Sequence, residues 1–303
     1  MHHDPLLLIA FNRPDHLKSL IDRLRLTKPT KIYIAIDGPR DGHQDDLAAV
    51  RACHEVVDEI DWDAEVITQF QARNLGCGRG VSAALSWFFA QEERGIILED
   101  DVLPQKSFFG FCSELLDRYE HDERVLAISG CNFVPPEFQT SPANPYRFSQ
   151  VPHIWGWATW RRAWSLHRLD MTDWRHRLSV RQLWDVTGRS PQGFMFWRAI
   201  FNLMAQNKID TWDMQFVFEG MARNMLTATS NTNLIDNVGF GSLATHTHEQ
   251  PPYLRPSRDI DLPVRDVPVE VDERADAWSR KVVFGASTRG LVEQAFRYLR
   301  QRN

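Results

Sequence analysis

The sequence predicts an α/β protein with a mostly parallel central sheet and helices on both faces of that sheet. Between residues 5 and 129, short apolar runs alternate regularly with segments whose apolar residues recur at helical spacing. This alternation is the pattern of a parallel sheet covered by helices. The chain has 303 residues, and 43% of them are hydrophobic, which is ample for a sizeable core. We therefore expect one continuous domain with carboxyl-terminal additions.

Five strands are predicted in this part of the chain, at residues 5–11, 31–36, 65–70, 95–98 and 125–129. The helices between them are predicted around residues 17–24, 47–60, 81–89 and 108–119. After residue 129 the alternation ends, and a proline-rich stretch at 134–152 predicts a loop or lid. The elements expected beyond it are helices at 181–185, 194–207 and 213–221, a turn-rich passage at 231–243, an extended arm at 251–271 and a closing helix at 291–299.

Composition and charge make several functions improbable. The net charge of −5 provides no basic field for nucleic acid, so no nucleic-acid partner is expected. The amino end lacks the pattern of a signal peptide, and no apolar run approaches the roughly 20 residues of a membrane span, so we expect a cytoplasmic protein that could still touch a membrane surface. The four cysteines lack zinc-site or disulfide spacing, and reduced core thiols are expected at Cys53, Cys77, Cys112 and Cys131.

Three adjacent carboxylates end a predicted strand that is apolar on both faces, in the stretch GIILEDDVLP. Glu99, Asp100 and Asp101 would repel one another in a partly buried turn unless a positive charge lay among them. A divalent cation is the simplest such charge. The alternative is a solvated turn before a helix that starts at Pro104, where acidic residues are also favourable. The triplet alone favours neither interpretation.

Other predicted strand ends also carry polar or charged residues. Asn12 and Arg13 follow the first strand, Asp37 follows the second, and the glycine-rich stretch RNLGCGRG follows the third. Ligands of parallel sheets bind beyond the carboxyl ends of the strands. A rim that carries both arginines and carboxylates fits a metal-bridged anion such as a nucleoside diphosphate. Singly, each residue could be an ordinary polar strand end.

The stretch RNLGCGRG, residues 73–80, fits neither a dinucleotide-binding fingerprint nor a P-loop, because its glycine spacing differs and no GK[ST] follows. We interpret it as a tight turn that directs Arg79, and with it Arg73, toward phosphate. Solvated arginines on a glycine-rich loop are an equal alternative.

Three features of the second half are candidates for function. Tryptophans surround Gly156 in HIWGWATWRRAW, which indicates a close backbone approach at that glycine. Asp213 follows Trp212 at the start of an amphipathic segment, where it could be a helix cap or a catalytic base. His246 and His248 alternate in ATHTH, so an extended segment would direct one of them into a site.

Taken in order, these motifs resemble the GT-A-fold glycosyltransferases, and most closely the N-acetylglucosaminyltransferase I family and its bacterial relatives. The resemblance covers residues 6–248, and its most specific part is LEDDVLPQKSFFGF followed by VLAISGCN. FNRP and IAIDG are similar to the family's nucleotide-contacting strand ends. WGWATW, TWDMQF and NVGFGSLATHT are similar to its acceptor-side and closing-loop motifs.

The resemblance implies a GT-A fold and a role for each matching residue. Asp101 would bind Mn²⁺ (or Mg²⁺) that bridges the donor diphosphate, and His246 would be a further metal ligand, with His248 left as the alternative. The remaining residues of the implied donor site are Glu99 near the transferred sugar, Asp100 near the ribose, Asp37 at the uracil ring, and Asn12, Arg13, Arg79 and Trp157 around the nucleotide sugar. Asp213 would be the general base. The family has two adjacent aspartates there, whereas this chain has Asp213 followed by Met214.

The function expected from this resemblance is an inverting, metal-dependent transfer of N-acetylglucosamine or another hexose from a UDP-sugar to a glycan, a glycolipid or another hydroxyl acceptor, as in polysaccharide biosynthesis. Residues 1–250 would form the transferase domain, with a nucleotide-sugar half at 1–130 and an acceptor half at 131–250. Residues 251–303 would be an arm and helix packed on it. The alternatives are a nucleotidyltransferase of related fold, whose glycine-rich turn after the first strand is absent here, and a non-catalytic carbohydrate-binding protein, which would not need the acidic triplet.

Overall fold

The structure is a computed structural model that describes residues 4–151, 153–240 and 250–285. Its strands, in chain order, are β1 Leu6–Ala10, β2 Lys31–Ile36, β3 Glu65–Phe70, β4 Arg94–Glu99, β5 Val102–Pro104, β6 Val125–Ser129, β7 Tyr146–Ser149, β8 Trp157–Trp160, β9 Leu226–Ser230 and β10 Ile235–Asn237. Its helices are α1 Pro14–Leu24, α2 Gln44–Val57, α3 Cys77–Gln91, α4 Lys106–Arg118, α5 Arg161–Trp164, α6 Trp174–Arg177, α7 Val180–Val186, α8 Pro191–Ala205, α9 Asp213–Arg223 and α10 Glu273–Val282.

Eight of these strands form one mostly parallel sheet, which confirms the predicted fold class. The strand order is β3-β2-β1-β4-β8-β6-β9-β7. The pairs β3–β2, β2–β1, β1–β4 and β6–β9 are parallel, whereas β8 runs antiparallel to both β4 and β6, and β7 runs antiparallel to β9.

The central strands β1, β4 and β6 are buried on both faces of the sheet, as their largely apolar runs require. In β1, Leu6 and Leu8 pack into a core with α1, α2 and α4, while Leu7 and Ile9 pack into a second core with α3. A third cluster lies among the helices between β8 and β9. Successive side chains of one strand thus pack against helices on opposite faces of the sheet.

The strand order reverses between β1 and β4. From β1 the chain moves outward to β2 and β3, then returns so that β4 pairs with the other side of β1. The connections after β1 and β4 therefore lead toward opposite edges of the sheet, and we call the position between the carboxyl ends of these two strands the crevice. In open α/β sheets such a reversal is where ligands bind.

Several elements differ from the prediction. The segment predicted as a loop or lid contributes β7 to the sheet, because the side chains of 146–149 are all buried despite the prolines around them. Pro104 closes the short strand β5 rather than starting a helix, since β5 pairs antiparallel with β10, and α4 begins at Lys106. Strand β9 and helix α10 were not predicted. The closing helix predicted at 291–299 lies outside the described residues.

The carboxyl-terminal arm runs along α4 and then along the sheet edge. The backbone N–H of Ser107 donates to Asp259 at 2.6 Å, which fixes the arm at the start of α4. Further along, the N–H of Asp272 donates to the carbonyl of Phe148 in β7 at 2.9 Å. The division of the chain at residue 250 stays a prediction. Within the described ranges, no helix combines the length and apolarity that a membrane crossing requires.

Helix α10 is attached to the sheet edge through a buried carboxylate. The carboxyl of Asp276, 1% exposed, accepts hydrogen bonds from the Ser149 hydroxyl and from the N–H of Gln150. Burial raises the pKa of Asp276 to about 6, against the pull of Arg280 and Arg147 toward the charged form.

We expect this buried carboxyl to make the stability of the protein pH-dependent. Because its folded-state pKa is raised, its contribution is fully present below the unfolded pKa of about 4 and is lost as the pH rises through about 6. Asp276→Asn should therefore gain about 2 kcal/mol in free energy of unfolding relative to the unmodified chain between about pH 4 and pH 7. Urea titrations at both pH values measure this. Asp266→Asn, at a side chain that is 85% exposed, is the control, and parallel pH profiles for Asp276→Asn and the unmodified chain would contradict the assignment.

Candidate functional site

The loops after β1 and β4 meet through one arginine and two aspartates. Arg13 lies between β1 and α1, and Asp100 and Asp101 directly follow β4. The guanidinium of Arg13 is paired with both carboxylates: Nη2 with Asp100 Oδ1, Nε with Asp100 Oδ2 at 3.3 Å, and Nη1 with Asp101 Oδ2 at 2.9 Å. These ion pairs occupy the crevice at the strand-order reversal.

The acidic triplet holds more negative charge than Arg13 neutralises. Burial, followed by repulsion from Asp101 and Asp100, raises the pKa of Glu99 to about 8. Burial raises the pKa of Asp100 to about 7, although Arg13 favours its charged form. Burial also disfavours the charge on Arg13, but the two aspartates raise its pKa above the ordinary value. A further cation at this edge would relieve the repulsion.

Asp37, expected to recognise a uracil ring, holds the next loop in place. Its Oδ1 accepts from the N–H groups of Gly38 and Leu75 at 2.9 and 3.0 Å, and its Oδ2 accepts from Asn74 Nδ2 at 3.0 Å. Burial raises its pKa. The base-recognition role stays a prediction, because the carboxylate already accepts several hydrogen bonds within the protein.

The glycines of residues 73–80 are required by another carboxylate, Asp210. The N–H of Gly78, in the first turn of α3, donates to Asp210 Oδ1 at 3.0 Å. A Cβ at Gly76 would lie 2.8 Å from Asp210 Oδ2, and one at Gly78 would lie 2.7 Å from Oδ1. Sequence reasoning missed Asp210. The alternate glycines signalled a close approach at this turn, and Asp210 is the group that makes it.

Four carboxylates from distant parts of the chain act electrostatically on Cys77. Burial raises the pKa of this thiol to about 12, and Glu99, Asp213, Asp210 and Asp37 each raise it further. Acidic side chains from the loops after β2 and β4 and from the start of α9 therefore act on the same thiol. Glu99 is one of these four carboxylates and is also part of the acidic triplet that Arg13 contacts, so the two groups of charges are connected.

Asp213 is placed there as the first residue of α9. Its Oδ1 accepts from the Thr211 hydroxyl and from the N–H of Met214, the latter at 2.8 Å. Its negative charge raises the pKa of Glu99, although the two residues are far apart in sequence. Within the described ranges its Oδ2 has no recorded hydrogen bond. One oxygen orients the carboxylate and the other is available.

Trp157 is buried in the sheet, and its role in the donor site stays a prediction. It was predicted to line the nucleotide-sugar site, but it lies in β8 with 1% exposure and stacks on Trp212 with ring centroids 5.4 Å apart. Its observed contact is with the residue that precedes Asp213. Trp155 is the more accessible ring of this motif, and it contacts Phe240 at 6.0 Å between centroids.

The segment after β10 lies directly against Asp101. The N–H of Val238 donates to the backbone carbonyl of Asp101 at 2.9 Å. A Cβ at Gly239 would lie 2.1 Å from Asp101 Oδ2, so only glycine fits beside this carboxylate. The adjacent Phe240 places an aromatic ring near the same edge.

The remaining predicted residues are less closely associated with the crevice. Asn12 donates to Asp46 at 2.7 Å and ties the loop after β1 to α2, where Arg40 holds the pKa of Asp46 below its usual range. Arg79 is exposed on α3 and has no recorded polar partner in the described part of the chain. His246 and His248 lie outside the described residues.

The donor set at this edge fits a hard divalent cation. Carboxylate oxygens are the ligands that Mg²⁺ and Mn²⁺ prefer, and sites of this kind are often completed by substrate phosphates. Within 4–151, 153–240 and 250–285, no three His, Cys, Asp or Glu side chains form a ready-made metal centre. Of the expected ligands, Asp101 is thus the one that the structure describes.

Comparisons with known proteins leave the family open. No protein family model matches the sequence, and no curated protein matches it significantly. Similar solved structures include an inositol-1-phosphate CTP transferase from T. maritima (10% identity, 76% of this chain and 86% of that chain, TM-score 0.34). Others are a UDP-glucose pyrophosphorylase complexed with UDP-glucose (6%, 75% and 90%, TM-score 0.34) and HddC from Yersinia pseudotuberculosis complexed with GMP-PN (8%, 54% and 78%, TM-score 0.32). At these TM-scores the likeness does not decide function.

The close approach of Gly239 to Asp101 yields a prediction. Gly239→Ala should displace the Asp101 carboxylate, because a Cβ cannot lie 2.1 Å from its oxygen. We expect Mn²⁺ affinity in the presence of UDP to fall at least ~10-fold, which corresponds to about 1.4 kcal/mol, with little change in melting temperature. Electron paramagnetic resonance of free Mn²⁺ measures this. Val238→Ala, which retains the backbone bond to Asp101, is the control, and equal losses in both variants would contradict the contact.

Proposed function

We propose that this chain is a metal-dependent, inverting glycosyltransferase that moves a hexose from a UDP-sugar to a hydroxyl of a glycan or glycolipid. The observation that carries the proposal is the convergence of Asp213 with the Arg13-bound acidic triplet. A donor-side charge cluster and an oriented carboxylate base lie at one edge of the sheet, as transfer between a diphosphate and a hydroxyl requires.

On the donor side, the crevice between β1 and β4 would hold the nucleoside diphosphate. Arg13 keeps Asp100 and Asp101 in fixed orientations, and Glu99, whose pKa is raised by the charge of Asp213, would face the transferred sugar. When bound at Asp101, a divalent cation would neutralise the charge of the diphosphate leaving group. Arg73 and Arg79, both exposed near the start of α3, could add positive charge toward the phosphates.

On the acceptor side, Asp213 would accept the proton of the attacking hydroxyl. The Thr211 hydroxyl and the Met214 N–H hold Oδ1, so that Oδ2 remains available to the acceptor. The stacked pair Trp157 and Trp212 packs behind this position and fixes its geometry. With one base, a single displacement would invert the anomeric carbon.

The acceptor sugar would lie near Trp155 and Phe240. These half-buried rings contact each other beside the segment that covers Asp101. Aromatic rings of this kind pack against the apolar faces of sugars.

Nucleotidyl transfer is the second candidate, because two of the similar solved structures bear the names of a CTP transferase and a pyrophosphorylase. In that reaction the cluster would hold a nucleoside triphosphate and a sugar phosphate. The connection between β1 and α1 has only three residues, 11–13, and contains no glycine. The notable glycines of the rim instead follow β3.

One pair of assays separates the two reactions. The protein is incubated with Mn²⁺ and a panel of UDP-sugars with glycan acceptors, and release of UDP is measured. In parallel it is incubated with UTP and sugar 1-phosphates, and release of pyrophosphate is measured. Acceptor-dependent UDP release without pyrophosphate supports glycosyl transfer. Pyrophosphate release alone would replace it with nucleotidyl transfer, and the absence of both products together with UDP-independent glycan binding would indicate a binding protein.

Asp213→Asn tests the proposed base. The amide retains an oxygen for the Thr211 and Met214 hydrogen bonds but cannot accept the proton. Turnover should fall by about 10²–10⁴-fold with donor affinity little changed. The matched control is Asp210→Asn, which retains an acceptor for the Gly78 N–H and should stay within a few-fold of normal turnover. Near-normal turnover of Asp213→Asn would leave Asp213 as a purely structural residue.

A further inference from the structure

A surface formed by α7 and α8 exposes large apolar side chains between arginines. Val180 is 73% exposed, Trp184 is 36% exposed and Met195 is 54% exposed. Val180 and Trp184 are one turn apart on α7, so they share a face. Trp184 contacts Phe194, the neighbour of Met195 on α8, with ring centroids 6.1 Å apart. We call the surface that carries these exposed side chains the α7–α8 face.

Basic residues are concentrated in the part of the chain that contains α7 and α8. Residues 161–208 contain nine of the 35 basic residues and three of the 40 acidic ones, which leaves 26 basic and 37 acidic residues elsewhere. The segment thus has a net charge of +6 in a chain whose net charge is −5. Glu93 and Glu219, outside the segment, pair with two of these arginines, and the positive charge that remains gives this part of the chain a preference for anionic partners.

Some of these arginines are engaged within the protein, but those around the α7–α8 face are exposed. Arg177 is paired with the buried Glu219. By contrast, the side chains of Arg181 and Arg189 are 93% and 76% exposed, and Arg198 is exposed on α8. Asp185 lies between the first two and offsets one of the three charges, so the face keeps a positive balance.

We propose that the α7–α8 face binds the surface of an anionic lipid bilayer. Tryptophan, methionine and valine can enter the boundary between head groups and acyl chains, while arginines extend to the phosphates. The positive balance selects anionic over neutral lipid. The face would lie on the membrane surface and would not cross the bilayer, because the contact comes from side chains on the outside of two packed helices.

The α7–α8 face belongs to the same helical unit as the candidate base. Phe196 and Trp197 of α8 share a core with Val217 and Phe218 of α9, the helix that begins at Asp213. The inference nevertheless does not rest on catalysis. Lipid binding can be measured without substrate, so its failure and the failure of the proposed reaction are separate outcomes.

The test is flotation of the purified full chain with vesicles. One set contains phosphatidylcholine alone, and the other contains phosphatidylcholine with phosphatidylglycerol. We expect binding to the anionic vesicles that weakens with added salt. The double variants Trp184→Ser with Met195→Ser and Arg181→Gln with Arg198→Gln should each lower the bound fraction by about 10-fold or more. Leu47→Ser, at a leucine on α2 that is 56% exposed, is the matched control and should bind normally.

Three results would overturn the proposal. The first is absence of binding to anionic vesicles, and the second is equal binding by the face variants and the unmodified chain. The third is a concentration-dependent dimer in sedimentation velocity that is lost in Trp184→Ser with Met195→Ser, which would assign the face to a second copy of the chain. Circular dichroism and melting temperatures check that the variants are folded.

Discussion

The interaction on which the site depends is the pairing of Arg13 with Asp100 and Asp101. It joins the loops that leave β1 and β4 where the strand order reverses, so it closes the crevice at its base. Without Arg13, two buried or half-buried carboxylates next to Glu99 would carry uncompensated charge, which is costly in a region of low dielectric constant. With it, the crevice still has excess negative charge, and a diphosphate would need a cation to bind there.

Segments from the second half of the chain contact the crevice and its surroundings at glycines, where a Cβ would have no space. Asp210 binds the first turn of α3 against Gly76 and Gly78, and Gly239 lies on Asp101. The stacked Trp157 and Trp212 then hold the start of α9, from which the charge of Asp213 raises the pKa of Glu99. The site is thus assembled from segments that are more than 100 residues apart in sequence. Glycines at the contacts allow these segments to approach one another closely.

Strands β1, β2, β4 and β6 were predictable because each is a largely apolar run, and β2 and β3 have the predicted bounds. Strands β7 and β9 were missed because arginine or threonines interrupt their apolar pattern, and their pairing is decided by distant partners. Asp100, Asp101 and Asp213 were identifiable as charges at element ends. Asp210 and the burial of Trp157 were not, since both depend on how α9 packs against α3 and β8, which no local pattern records.

Calorimetric titration of UDP into the purified protein tests the central claim most directly, namely that the Arg13-bound carboxylates form a cation-dependent diphosphate site. The titration is done with Mn²⁺ and with EDTA, on the unmodified chain and on Asp101→Asn. We predict binding with Mn²⁺, a loss of at least ~100-fold in affinity with EDTA, corresponding to about 2.7 kcal/mol, and a similar loss in Asp101→Asn with Mn²⁺. Equal UDP affinity in all three conditions would contradict the account.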